Sequence, residues 1–143
     1  MKILVSSCLL GDNTKYNGMS NKNDELIKFL KNYEVIKVCP EVMGGLSIPR
    51  DPSEIVDGRI LTNKGIDVTS YFQSGAKKVL DIVQKENIKV AIFKKHSPSC
   101  GYKIIYDGSF SNKKIKGNGI TAALLEQHGI IILNEDNYRD YFK

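Results

Sequence analysis

Cysteine is scarce, with three in 143 residues at Cys8, Cys39 and Cys100. An odd number of widely separated cysteines excludes a disulfide framework, and without a CxxC pair there is no redox dithiol or zinc knuckle. Long apolar runs are missing too. None approaches the ~20 residues of a membrane helix, so no membrane partner is expected. Repeats, linkers and low-complexity segments are absent, so residues 1–143 read as one domain of ordinary size. Zinc-finger and RNA-binding signatures are likewise missing. At 41% hydrophobic and 26% charged residues, the composition is that of a folded globular chain rather than a disordered one.

The start, MKILVSSCLLGDNTK, places Lys2 before apolar residues as a leader peptide would. Ser6 and Ser7 interrupt the run and no small-residue cleavage site follows, so it reads as a first strand and the protein as cytoplasmic. The net charge of +5 comes from lysines spread along the chain, with small clusters at Lys94-Lys95 and Lys113-Lys114-Lys116. Scattered lysine is a solvated surface, which argues against a nucleic-acid partner and suits an anionic small molecule equally well.

The chain alternates apolar runs with helical periodicity. KILVS (2–6), EVIKV (34–38), IKVAIF (88–93) and IIIL (130–133) read as strands. Helices are expected over 23–32, over 70–87 with Phe72, Ala76, Val79, Leu80 and Val83 on one face, over 117–129 closing at Gly129, and over 135–143. Residues 39–59, rich in Pro and Gly, exclude regular helix, and a small hairpin is expected over 60–69 around Asn63-Lys64-Gly65. The implied fold is α/β: a Rossmann-like three-layer sandwich with a mainly parallel sheet of about four strands, its site at their carboxyl ends.

That architecture gives the cysteines a meaning. Cys8 follows the first strand, Cys39 the second, and Cys100 lies in the loop after the third, so all three fall on the sheet edge where ligands bind. Three thiolates together repel one another unless a cation compensates them. Zinc held by three Cys, with His96 as fourth ligand, is one solution. An iron–sulfur cluster with three protein ligands, leaving one iron open to a substrate, is another. Glu41 and Ser97 stand beside these cysteines as a candidate acid/base and proton-handling group. Taken alone, Glu41 reads as a solvated loop carboxylate and Ser97 as a turn hydroxyl. His96 is equally compatible with capping backbone, and His128 with capping a helix C-terminus.

The blocks SSCLLG (6–11) with KYNG (15–18), CPEVMGGLSIPRDPSE (39–54), HSPSCG (96–101) with IYDGSF (105–110), and GNGITAALL (117–125) together resemble the thiouracil desulfidase family. The resemblance covers essentially the whole chain and implies a single-domain short form, longer relatives carrying an additional C-terminal domain. It implies that Cys8, Cys39 and Cys100 ligate a [4Fe-4S] cluster whose remaining iron takes the sulfur of the substrate. It also implies acid/base and proton-handling roles for Glu41 and Ser97. The reaction would be non-redox desulfuration of 2- or 4-thiouracil, or of a related thiolated base or nucleoside, giving the oxo base and sulfide. Lys15 stands where the family pattern has Arg, a change that bears on anion or substrate contacts. Two other classes remain: a sulfur carrier or redox protein forming a persulfide on Cys100, and a zinc- or nucleic-acid-binding module.

Overall fold

The computed structural model of the protein describes residues 1–142. Along the chain run β1 (Lys2–Ser6), α1 (Asp24–Phe29), β2 (Glu34–Val38), α2 (Pro40–Met43), β3 (Ser53–Val56), β4 (Arg59–Thr62) and α3 (Thr69–Lys85). They are followed by β5 (Val90–Phe93), β6 (Ile104–Tyr106), β7 (Lys114–Lys116), α4 (Ile120–Gln127), β8 (Ile131–Asn134) and α5 (Tyr138–Tyr141).

The four apolar runs form one parallel sheet in the order β2-β1-β5-β8. The central strands β1 and β5 read as nearly unbroken apolar runs because both their faces are covered, whereas edge strand β2 exposes Glu34 and Lys37. From β1, Leu4 packs into a core with Ala91 and Phe93 of β5 and with Val79, Val83, Ala122 and Leu125 of α3 and α4. Ile3 and Val5 point the other way, joining Val90 and Ile92 against Leu26, Leu30 and Tyr138. The two-residue side-chain period thus feeds two cores, and each fully buried Phe, Leu or Ile contributes about 1.5–3 kcal/mol of burial. The result is helix, sheet and helix in three layers, as the alternating pattern implies.

Strand order fixes where a ligand fits. The chain passes from β1 outward to β2, then crosses back past β1 to β5, so the connections diverge between β1 and β5. Such a reversal opens a crevice at the carboxyl ends of the strands. In register, Ser6 stands beside Val38, which brings the chain after β1 and after β2 out at the same level.

One local expectation is corrected and another is extended. Residues 39–59 do hold a helix, α2, because Pro40 occupies its first turn, where a missing N–H costs nothing. The small hairpin expected over 60–69 forms, Leu61 bridging Asp67 antiparallel while Thr62 N–H donates to the Ile66 carbonyl at 2.9 Å. A further hairpin that was not expected, β3–β4, precedes it and turns at Asp57-Gly58 with φ of 48° and 77°. An Asp-Gly pair with both φ positive is the tight turn that suits strand twist. The expected turn at 63–65 also forms, Gly65 N–H donating to the Thr62 carbonyl. The antiparallel pair β6–β7 was not expected, since its lysines mask any strand pattern. Gly129, at φ 81°, ends α4 as anticipated. The terminal helix is shorter than expected, and Lys143 lies outside the described residues.

The short helix α2 sits against α3 through paired glycines. A Cβ on Gly75 would lie 1.9 Å from the Pro40 carbonyl oxygen, and one on Gly44 would lie 2.0 Å from that of Tyr71. Only hydrogen fits at either position. Among the described residues, no helix is long and apolar enough to cross a membrane.

Candidate functional site

At the carboxyl ends of the strands a cavity of about 490 Å³ opens, within the range of small-molecule sites. Cys8, Cys39 and Cys100 all line it, with Glu41, Arg50, Ser97 and Ser99. Three short segments deliver the thiols. Cys8 lies in a 3-10 turn directly after β1, closed by Gly11 at φ 100°. Cys39 is the cap residue of α2, its carbonyl accepting Met43 N–H at 2.9 Å. Cys100 lies in the loop after β5, which is tied to the first turn of α4. The Pro98 carbonyl accepts Ile120 N–H at 2.8 Å, and the Ser99 carbonyl accepts those of Thr121 and Ala122 at 3.0 and 3.1 Å. The helix thereby satisfies its unpaired N–H groups and holds the cysteine loop rigid.

The thiols share a polar environment. Cys100 is buried and the other two are half-buried. Burial, with Cys39 nearby, drives the Cys100 thiol far above the ordinary cysteine range, although Ser6 Oγ donates to its sulfur at 3.5 Å. Burial also raises the Cys8 thiol, opposed by Asn21 Nδ2 donating to its sulfur at 3.5 Å. Without a cation these groups stay protonated; a bound cation would release their protons. Among the described residues, no three His, Cys, Asp or Glu side chains form a group that could hold one metal ion. A single zinc at about 2.3 Å from each sulfur would require that convergence. A cluster gives each thiolate its own iron, and an all-sulfur donor set surrounded by N–H and O–H donors fits it.

The carboxylate is held from both sides. Arg50 Nε donates to Glu41 Oε1 at 3.1 Å, with the two side chains only 8% and 15% exposed. Ser99 Oγ donates to Glu41 Oε2 at 2.9 Å. Arg50 is fixed in turn, donating from Nη2 to the Thr14 carbonyl at 2.9 Å and from Nη1 to that of Ser47 at 3.2 Å. Ser97 Oγ accepts Cys100 N–H at 2.7 Å and lies 3.3 Å from Ser99 Oγ. Ser97 therefore reaches Glu41 only through Ser99.

Every cysteine singled out in the sequence, together with Glu41 and Ser97, comes to this one cavity. His96 does not. Its backbone is left-handed at φ 73°, its ring meets Tyr106 edge-on at 5.9 Å, and burial beside three lysines lowers its pKa from the ordinary imidazole value. His128 Nδ1 pairs with the Leu124 carbonyl at the end of α4, a capping contact. Sequence reasoning noted Ser99 beside Ser97 but assigned it no role, and left Arg50 without one. Ser99 had a signal, since it adjoins Cys100, whereas Arg50 meets Glu41 only through the turn at 44–50.

A parallel α/β sheet with three thiols and a clamped carboxylate at its switch point has the architecture of a Rossmann-like enzyme. The chain belongs to the 2-thiouracil desulfurase family, whose profile matches residues 3–137. It is 41% identical over 148 residues to the uncharacterized protein YbbK of Bacillus subtilis (strain 168), covering 96% of this chain and 98% of that one. Among solved structures it resembles the [4Fe-4S]-dependent thiouracil desulfidase TudS. The two share 39% identity with a TM-score of 0.91, over 97% of this chain and 93% of the other.

Proposed function

We propose that the protein is a [4Fe-4S]-dependent desulfidase that removes sulfur from a thiolated pyrimidine, 2- or 4-thiouracil or a related nucleoside. The span 1–143 would act as one cytoplasmic catalytic unit on a small molecule. The observation that carries this reading is the convergence of Cys8, Cys39, Cys100 and Glu41 on one cavity, in a chain of this family. In this reading the three cysteines hold the cluster. When bound, the cluster supplies a soft iron with no protein ligand, suited to the sulfur of a thiocarbonyl.

The chain's own residues handle water and protons. Glu41 accepts a proton from water at the carboxylate fixed between Arg50 and Ser99, and the water oxygen adds to the carbon bearing sulfur. The C–S bond then breaks, and water has contributed the new oxygen and the protons of hydrogen sulfide. Ser99 links Glu41 to Ser97, so a proton passes between the carboxylate and the Ser97 hydroxyl without entering bulk solvent. Arg50 holds Glu41 in place, its Nε donating to Oε1.

A persulfide carrier at Cys100 fits less well, because a reactive thiol is exposed and easily ionised whereas this one is neither. A nucleic-acid module fits less well too, since Lys2, Lys37, Lys64, Lys94 and Lys95 each face a carboxylate.

Anaerobic purification with an absorption spectrum and iron and sulfide analysis tests the reading. About four irons per chain are expected, lost when any one of the three cysteines becomes Ser. Glu41→Ala should keep the iron and lose sulfide release from 4-thiouracil. Stoichiometric zinc, or turnover without iron, would sink the proposal; undiminished turnover in Glu41→Ala would remove that residue from it.

A further inference from the structure

The loop joining β6 to β7, residues 107–113, is more strongly anchored than a surface loop requires. Asp107 N–H donates to the Lys113 carbonyl at 2.9 Å, closing its base. Glu54, on β3, accepts the backbone N–H of Gly108 at 3.0 Å and of Phe110 at 3.2 Å through a single oxygen, Oε1. The approach is close, because a Cβ on Gly108 would lie 2.6 Å from the Ile55 carbonyl oxygen. Phe110 and Asn112 sit in the left-handed region at φ 57° and 63°, where an aromatic residue is uncommon. Phe110 is nonetheless 37% exposed, and it lines the same cavity as the three cysteines. A strained backbone, tethered by a carboxylate to present an apolar ring to the cavity, has no use in packing the core.

We propose that Phe110 is a specificity-determining wall of the site. The flat face of the substrate's heterocyclic ring stacks on it, and Glu54 acts as the positioning residue that fixes its backbone. This rests on the desulfidase reading for the identity of the ring. The physics is general: every heterocyclic base has a π-face, and stacking on an aromatic side chain tolerates differences in its edge substituents. Tyr16 and Tyr106 also line the cavity, but Phe110 offers a ring with no polar atom to satisfy.

The test is equilibrium binding of uracil, the unreactive oxo ring, to the anaerobically prepared iron-loaded protein by ligand-observed NMR titration. In parallel, KM and kcat for 4-thiouracil are measured. Phe110→Ala should weaken uracil binding and raise KM about tenfold, with kcat changed less than about twofold. Phe110→Trp should restore binding, whereas Phe110→Leu, apolar but not flat, should not. Glu54→Ala should weaken binding about threefold, and Glu54→Gln, which keeps an acceptor oxygen, should recover it. The iron absorption spectrum should be the same in all five variants. Unchanged uracil binding in Phe110→Ala, or full recovery in Phe110→Leu, overturns the stacking wall while leaving the desulfidase reading intact. Wild-type protein that binds uracil in this Phe110-dependent way yet releases no sulfide supports the wall and strikes only the reaction.

Discussion

At the amino ends of the sheet Lys2 reaches Glu86 across 2.9 Å; at the carboxyl ends Arg50 reaches Glu41 across 3.1 Å. The lengths are close and the settings are not. Lys2 and Glu86 are 37% and 33% exposed, in contact with water, and join the first strand to the end of α3. There the Lys2 hydrogen bond lowers the Glu86 carboxyl below its ordinary value, yet neither residue lines the cavity of the three cysteines. Arg50 and Glu41 are nearly enclosed, and each makes further bonds to Thr14, Ser47 or Ser99. An exposed pair is screened and costs side-chain entropy, so it contributes little. An enclosed pair is expensive to desolvate, and is kept where a charge must stand in a fixed place. The same chemistry is therefore surface decoration at one end of the sheet and machinery at the other.

The sharpest way to break the comparison is to leave both pairs intact and move the helix that carries Glu41. Gly75→Ala places a methyl group against the Pro40 carbonyl and pushes α2 away from α3. Overpacking against backbone should cost about 3 kcal/mol in denaturant unfolding, with iron content and sulfide release falling together, although α3 supplies no residue to the cavity. Removing one partner of the enclosed pair comes next. Arg50→Ala strands the Glu41 carboxylate and should cost about 2 kcal/mol, less than a fully buried pair because Glu41 keeps some contact with water. It should also lower kcat for 4-thiouracil about 10- to 100-fold while iron content holds. Equal iron loss in that variant would show Arg50 to be structural.

The smallest effect is expected at the other end. Glu86→Gln should leave sulfide release and the neutral-pH unfolding midpoint unchanged within error. The sign of its pH dependence is fixed. Because Glu86 titrates lower when folded than when unfolded, any contribution is present above the ordinary carboxylate range and fades as pH falls through it. Any small midpoint difference between wild type and Glu86→Gln at neutral pH should therefore vanish in acid. A midpoint loss in Glu86→Gln as large as in Arg50→Ala would erase the distinction between the two ends.

Much of this arrangement was legible because strands buried on both faces are written as unbroken apolar runs. KILVS and VAIF announce the centre of the sheet, and Cys8 and Cys100 can be placed at its edge by counting onward from them. What stayed hidden depends on contacts that have no local signature. Helix α2 hid behind Pro40, a residue that breaks helices everywhere except where this one stands. The pair β6–β7 hid because KIK and IIY are too short and too exposed to show alternation. Arg50 finds Glu41 by folding back across a turn, and the path from Ser97 to Glu41 through Ser99 depends on two hydroxyl rotamers. Spacing along a chain cannot encode either contact.

Cys8, Cys39 and Cys100 leave the ends of three different strands, so a group that bound all three would join distant parts of the chain in one knot. Such a junction closes two long loops at once and removes freedom from the unfolded chain much as a cross-link does. In the proposed holoprotein, iron would then be a fastener as well as a reagent. Its loss through oxidation would silence the site and also slacken the sheet edge that built it. The temperature of unfolding would become a gauge of how much of a preparation still carries its cluster.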